Sequence, residues 1–306
     1  MPNEFLAAEQ IVAGFLGILE REVVLPQFCT RLAESDFVGA KGDTVTMRVP
    51  SYLEAREYNW RDSPRSAIVI DEIAEVGVDV KLDHMPYSAV ALTDENLTLD
   101  IREFGEQVLS VQARAIVRYM EQLVADTIEN APHAWTVEEA DPYLAAAKAR
   151  SALNKAAVPM AGRVLLLGAD VETKFLASPL LVRADTSGSD SALRDAEIGR
   201  IAGMPTFVSM FIDPDNAYAL HTSAFGLANM APVVPDGVSF GQSQTYDGYA
   251  VRFIRDYDAG TLQDRSVLSS FIGCSSVDDG AQLTGPERGD HDEENIRVVK
   301  LEGIGE

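Results

Sequence analysis

The chain has 306 residues, 46% of them hydrophobic, which is enough to bury one or two compact units and excludes a disordered chain. Its 48 acidic residues against 25 basic ones give a net charge of −23, a surface that repels nucleic-acid phosphates and anionic membranes. That acidity keeps a concentrated protein soluble, and it also suits a face that lies beside nucleic acid without adhering to it.

The two cysteines, Cys29 and Cys274, sit in no paired motif and read as small buried apolar residues in a reducing compartment, without a disulfide between them. Met1-Pro2-Asn3-Glu4 lacks the basic stretch of a signal peptide, and Ile11–Leu19 is too short to span a bilayer. A soluble protein, intracellular when made and with no membrane partner, is the expectation.

Residues 1–38 read as a mainly helical arm in which Ile11, Phe15, Ile18 and Leu19 share a side and Pro26 ends or kinks the helix. After the turn at Gly39–Asp43, Val45, Met47 and Val49 alternate with Thr44, Thr46 and Arg48. The matching strand comes much later, as Val76, Val78, Val80 and Leu82. Between them lies a long polar and aromatic stretch containing Tyr52, Arg56, Tyr58, Trp60, Arg61 and Arg65. Residues 39–86 are therefore expected to form a long protruding hairpin that lies on a partner, the alternative being an ordinary hairpin folded back on its own domain, because an isolated hairpin is marginal in water.

A long helix is expected over residues 100–130, with Ile101, Phe104, Val108, Val111, Ala115, Tyr119 and Leu123 as its apolar stripe. Asp100 and Glu103 form a capping box, Asn130-Ala131-Pro132 supplies the stop, and the helix would be about 45 Å long. Residues 136–244 read as an α/β unit. It has a helix over Pro142–Lys155, a buried strand at Val164–Leu167, a helix over Ala169–Ala177 and a polar loop at 185–191. Strands at Thr206–Met210 and Ala217–His221 follow, and then a helix capped by Thr222 or Ser223 and running through Leu227. Residues 245–277 return to strands, and a last strand is expected at Ile296–Leu301. No internal repeat is present.

The motifs of catalysis are missing. No phosphate-binding glycine loop occurs. Gly241-Gln242-Ser243-Gln244-Thr245 lacks the final glycine and the helix of a nucleophile elbow. His84, His133, His221 and His291 have no second ligand at metal spacing. Asp213-Pro214-Asp215-Asn216 lacks the later glycine and glutamate of a calcium loop and reads as a turn. No catalytic, cofactor-binding or metal-binding residue is assigned, and no cofactor is expected.

The order of these parts resembles the major capsid proteins of tailed bacteriophages, which share the HK97-like capsid fold. Local phrases agree: Arg163-Val164-Leu165-Leu166-Leu167, then Ile198-Gly199-Arg200-Ile201-Ala202-Gly203-Met204-Pro205, and Gly248-Tyr249-Ala250-Val251-Arg252-Phe253-Ile254-Arg255-Asp256-Tyr257-Asp258. The resemblance implies an α+β fold with an N-terminal arm (1–38), an extended E-loop hairpin (39–86), a peripheral domain with a long spine helix (87–135 with 245–306) and an axial α/β domain (136–244). It implies self-assembly through hexamers and pentamers into an icosahedral shell enclosing phage double-stranded DNA. It further implies a separate scaffolding protein, a portal, at most non-specific contact with the packaged DNA, and a place in the virion after assembly in the cytoplasm of a bacterial host. Lys41 and Lys81 flank the hairpin and neither lies at its tip, so the covalent crosslinking of some members is not carried over. From residue type and position, Tyr52, Arg56, Tyr58, Trp60, Arg61 and Arg65 are the candidate inter-subunit contacts: the aromatics for burial, the arginines for acids on a neighbour. Two alternatives stay open, an encapsulin-like nanocompartment shell and a soluble hydrolase.

Overall fold

The computed structural model describes residues 24–32, 44–49, 55–58, 60–61, 67–70, 76–93, 108–178, 199–238, 240–246, 249–261, 263–279 and 294–305. A 3-10 turn at Leu25–Phe28 is followed by strands β1 (Thr30–Leu32), β2 (Thr44–Val49), β3 (Val76–Lys81) and β4 (Tyr87–Thr93), then by helix α1 (Ser110–Asn130). Next come β5 (His133–Glu138), α2 (Pro142–Lys155), β6 (Arg163–Leu167) and α3 (Ala169–Ala177). The other elements are β7 (Arg200–Ile201), β8 (Met204–Val208), β9 (Ala217–His221), β10 (Phe225–Met230), β11 (Phe240–Tyr246), β12 (Tyr249–Asp258), β13 (Gln263–Ser269), β14 (Phe271–Ser276) and β15 (Asn295–Glu302).

Every residue of β6, Arg-Val-Leu-Leu-Leu, is buried, as befits a central strand covered on both faces. It pairs with β8 in parallel and β9 antiparallel within a six-stranded sheet of order β5-β15-β9-β6-β8-β7. The two-residue period of the strands divides that sheet between two cores. Val164, Leu166, Tyr218, Leu220 and Val298 pack with α1, while Leu165, Leu167, Ala217, Ala219, Val299 and Leu301 pack with α2 and α3. The start of α2 is fixed by Asp141, whose Oδ1 accepts the Leu144 N–H at 2.8 Å, and by Pro142 in the first turn. Its end is held by the buried Arg163 guanidinium, which donates to Asn154 Oδ1 at 2.7 Å, to the carbonyls of Pro159 at 2.9 Å and Leu153 at 3.4 Å, and to that of Val158.

Helix α1 joins this layer to two more sheets, of order β1-β10-β14 and β11-β12-β13-β4. Buried Gln112 fastens it to the second: Nε2 donates to the Ser88 and Ser266 carbonyls, each at 3.0 Å, and Oε1 accepts from Ser266 Oγ at 2.8 Å. On its other side Glu121, 2% exposed, accepts the Leu25 N–H at 3.1 and 3.2 Å and also that of Val24, which pins the 3-10 turn. Burial pushes the Glu121 carboxyl above its ordinary value, against the pull of the two N–H donors. A carboxyl raised in the folded state stabilises fully below its unfolded value, and that contribution is lost as pH rises through the folded value. Urea titrations of Glu121→Gln should therefore show its stability improving relative to the parent between pH 4 and pH 7. Glu121→Ala, which leaves the Leu25 N–H buried and unpaired, should cost roughly 1–3 kcal/mol at either pH.

Two expectations need correction. The described helix, Ser110–Asn130, spans about 30 Å, and the stripe it buries is Ala113, Ile116, Val117, Met120, Val124 and Ile128. Val111 and Tyr119, placed in the core by periodicity, are exposed. The helix carries apolar residues on two sides, and the side with unbroken four-residue spacing from Ile116 to Ile128 faces the sheets. The 100–107 segment, with the capping box, lies outside the described residues, as do residues 1–23, 33–43 and 179–198, which hold most of the arm and the polar loop.

The second correction is the helix expected through Leu227, which is strand β10. Phe225 and Leu227 enter the α1 core, Gly226 meets Val80 and Met47, and Ala228 packs with Val80 on the opposite face. Pairing on both edges overrides a weak local preference here.

Strand pairing also joins distant parts of the chain. Strand β15 lies between β5 and β9 in the six-stranded sheet and is mostly buried. Strand β10 pairs with β14, and β11 pairs with β12.

Candidate assembly interface

Strands β2 and β3 pair antiparallel, with Val45 opposite Val80 and Met47 opposite Val78, in the register their alternation predicts. Thr46 Oγ1 donates to Asp79 Oδ1 at 2.6 Å on the outer face. The inner face lies on the three-stranded sheet, where Leu32, Val45, Val80 and Ala228 form a separate small core flanked by Met47 and Leu82. The root of the hairpin is therefore seated on the body of the subunit.

The tip has the opposite character. Trp60 is 63% exposed, with the Arg61 guanidinium stacked 4.6 Å from its ring centroid. Tyr58 and Arg56 are exposed as well, so Arg56, Tyr58, Trp60 and Arg61 share an exposed stretch. Tyr52 and Arg65 lie outside the described residues. Sequence reasoning missed Ile68, Val69 and Ile70 on the returning limb, which are 70%, 67% and 84% exposed. Three consecutive β-branched or aliphatic residues with no alternating polar partner were the available signal. Exposed apolar runs of this kind mark contact surfaces.

The groups considered for catalysis that lie among the described residues have structural work; His291 lies outside them. Ser243 stands in β11 and its Oγ donates to the Pro232 carbonyl at 2.5 Å. His133 Nε2 contacts the Ile128 carbonyl at 2.8 Å near the end of α1, and His221 Nε2 contacts that of Ala161 at 2.8 Å. Burial holds both imidazoles below their ordinary value. His84 Nδ1 meets Tyr119 Oη at 3.0 Å. Asp213 Oδ1 accepts the Asp215 N–H at 2.9 Å, as in an Asx turn. Among the described residues no cluster of three metal-ligating side chains occurs, and no helix is long and apolar enough to cross a membrane.

A structure from Mycobacterium phage Che8 is similar over 93% of each chain at 19% identity, with a TM-score of 0.63. The capsid structure of cyanophage P-SCSP1u matches over 92% of this chain and 88% of its own, at 12% identity and a TM-score of 0.63. A virus-like particle from Pyrococcus furiosus matches over 96% and 98%, at 11% identity and a TM-score of 0.54. No curated protein sequence matches. These likenesses place the α+β architecture among HK97-like capsid folds. A family model described as phage capsid protein matches residues 87–269, more than half of the chain, and this chain belongs to that family.

Proposed function

We propose that this chain is a major capsid protein whose copies join, through the hairpin, into an icosahedral shell around phage double-stranded DNA. The observation that carries the reading is a hairpin seated firmly at its root and apolar and exposed at its tip, in a chain of the phage capsid protein family. The hairpin is the E-loop and lies across a neighbouring copy. The six-stranded sheet with α2 and α3 serves as the axial domain. Helix α1 with the three- and four-stranded sheets serves as the peripheral domain. Exposed Trp60, Tyr58, Ile68, Val69 and Ile70 bury against the neighbour, and Arg56 and Arg61 face its acids, with Tyr52 and Arg65 as further contacts expected from the sequence. The role is structural rather than catalytic. Hexamers and pentamers form with a separate scaffolding protein and a portal in the host cytoplasm, and the acidic surface limits contact with DNA to non-specific encounters.

Size-exclusion chromatography followed by negative-stain microscopy tests this. Regular hollow particles, or rings that convert to them when scaffold is added, are expected. A monomer that persists at high concentration and with scaffold would overturn the reading. A nanocompartment shell is the second reading, favoured by the likeness to the virus-like particle. Particles purified from cells and holding a protein cargo instead of DNA would select it.

A further inference from the structure

Strand β14 passes under the root of the hairpin at Gly273. A Cβ on that residue would lie 1.9 Å from the Lys81 carbonyl oxygen, 2.7 Å from its carbon and 3.2 Å from the Leu82 nitrogen. The obstacle is main chain at the end of β3, which cannot turn aside as a flexible side chain does. Just beyond it, Ile272 and His84 exchange N–H···O bonds of 2.9 and 3.1 Å, and the Ser270 N–H donates to the Pro86 carbonyl at 3.2 Å. The chain leaving the hairpin is thus stitched to β14 directly after the contact. A second close approach is softer. A Cβ on Gly226 would meet Val80 Cγ2 at 3.0 Å and Met47 Sδ at 3.5 Å, both side-chain atoms. Gly273 is not among the residues of positive φ, so what the glycine supplies there is space.

We infer that Gly273 is a positioning residue: by letting the β3 backbone touch β14, it sets the angle at which the hairpin leaves the subunit, and with it the curvature at which copies join. The inference rests on the assembly reading above. An ordinary Cβ contact needs more than 3.4 Å, so a methyl group at 273 must open the root by over 1 Å. That opening lies at the base of strands about 20 Å long and tilts the whole arm. The small core of Leu32, Val45, Val80 and Ala228 tolerates a slight tilt, whereas a repeated contact between copies multiplies it around a ring.

Three single substitutions, Gly273→Ala, Gly226→Ala and Gly237→Ala, would be compared with the parent chain. A Cβ at Gly237 meets nothing within 4 Å, so that variant is the control. Each is tested as a free subunit by thermal unfolding and as an assembly by negative-stain microscopy. Gly273→Ala is expected to fold cooperatively yet give about a tenfold lower yield of closed, uniform particles, with open sheets, tubes or mixed diameters instead. Gly226→Ala should fall between it and the control, and Gly237→Ala should match the parent. Particles of parental size and yield from Gly273→Ala would overturn the inference and leave the shell reading standing. A Gly273→Ala subunit that does not fold would overturn it too, since the glycine would then hold the fold rather than aim the arm. If the parent forms no particles, the shell reading itself fails and this inference falls with it.

Discussion

Arg297→Ala is expected to lower the unfolding free energy of the subunit by about 3–5 kcal/mol at neutral pH, the cost of stranding a buried charge. Arg297 Nε donates to Asp279 Oδ2 at 2.6 Å, and the two side chains are 18% and 1% exposed. Its Nη1 donates to Ser223 Oγ at 2.6 Å, and that hydroxyl meets His221 Nδ1 at 2.8 Å. The three anchors lie on different parts of the fold. Arg297 is in β15 of the six-stranded sheet, Ser223 is in the turn that carries the chain from β9 to β10, and Asp279 closely follows β14 of the three-stranded sheet. One side chain thereby ties two sheets together.

Burial pushes the Asp279 carboxyl above its ordinary value, even with Arg297 pulling it down. Without the guanidinium, the folded-state value rises further. The stability that depends on a raised carboxyl is present below the unfolded value and lost as pH rises, so the deficit of the variant should shrink toward pH 4 and widen toward pH 7. Asp279→Ala combined with Arg297→Ala should cost less than the sum of the single changes. Urea unfolding at the two pH values measures all of this. A single-variant loss below about 1 kcal/mol at pH 7 would mean that the pair is hydrated and does not tie the sheets.

The second large effect falls on assembly. Trp60→Ala should raise the protein concentration at which particles appear by roughly 30-fold, which corresponds to losing about 2 kcal/mol at one interfacial anchor. Replacing Ile68, Val69 and Ile70 together with serine should act in the same direction and at least as strongly, because more exposed apolar surface is removed. The melting temperature of the free subunit should stay the same in both, since none of these side chains belongs to its hydrophobic cores. Light scattering against concentration reads the threshold. Parental thresholds for both variants would remove the tip from the interface.

Much of the architecture could be read from residues in order. Alternation in Thr44–Val49 and Val76–Lys81 identified two strands of one hairpin across a long gap, because a period of two is a local property that survives any tertiary setting. The run Val164–Leu167, all apolar, reads as a buried strand and Pro142–Lys155 as a helix, and both are present. The aromatic and basic residues around Trp60 are legible as polar surface, whereas the apolar triplet Ile68–Ile70 carries no local sign that it is exposed.

What the sequence determined by itself is the set of elements with strong local periods, an acidic chain without a catalytic motif, and the succession of parts that resembles a capsid subunit. The tertiary structure alone decided which face of α1 is buried, that Phe225–Met230 is a strand, and that Asn295–Glu302 completes the six-stranded sheet. It also decided that Gly273 lets one backbone rest on another. Each of these depends on contacts between residues far apart in the chain, where the choice between two plausible local structures is made by whatever surface lies opposite.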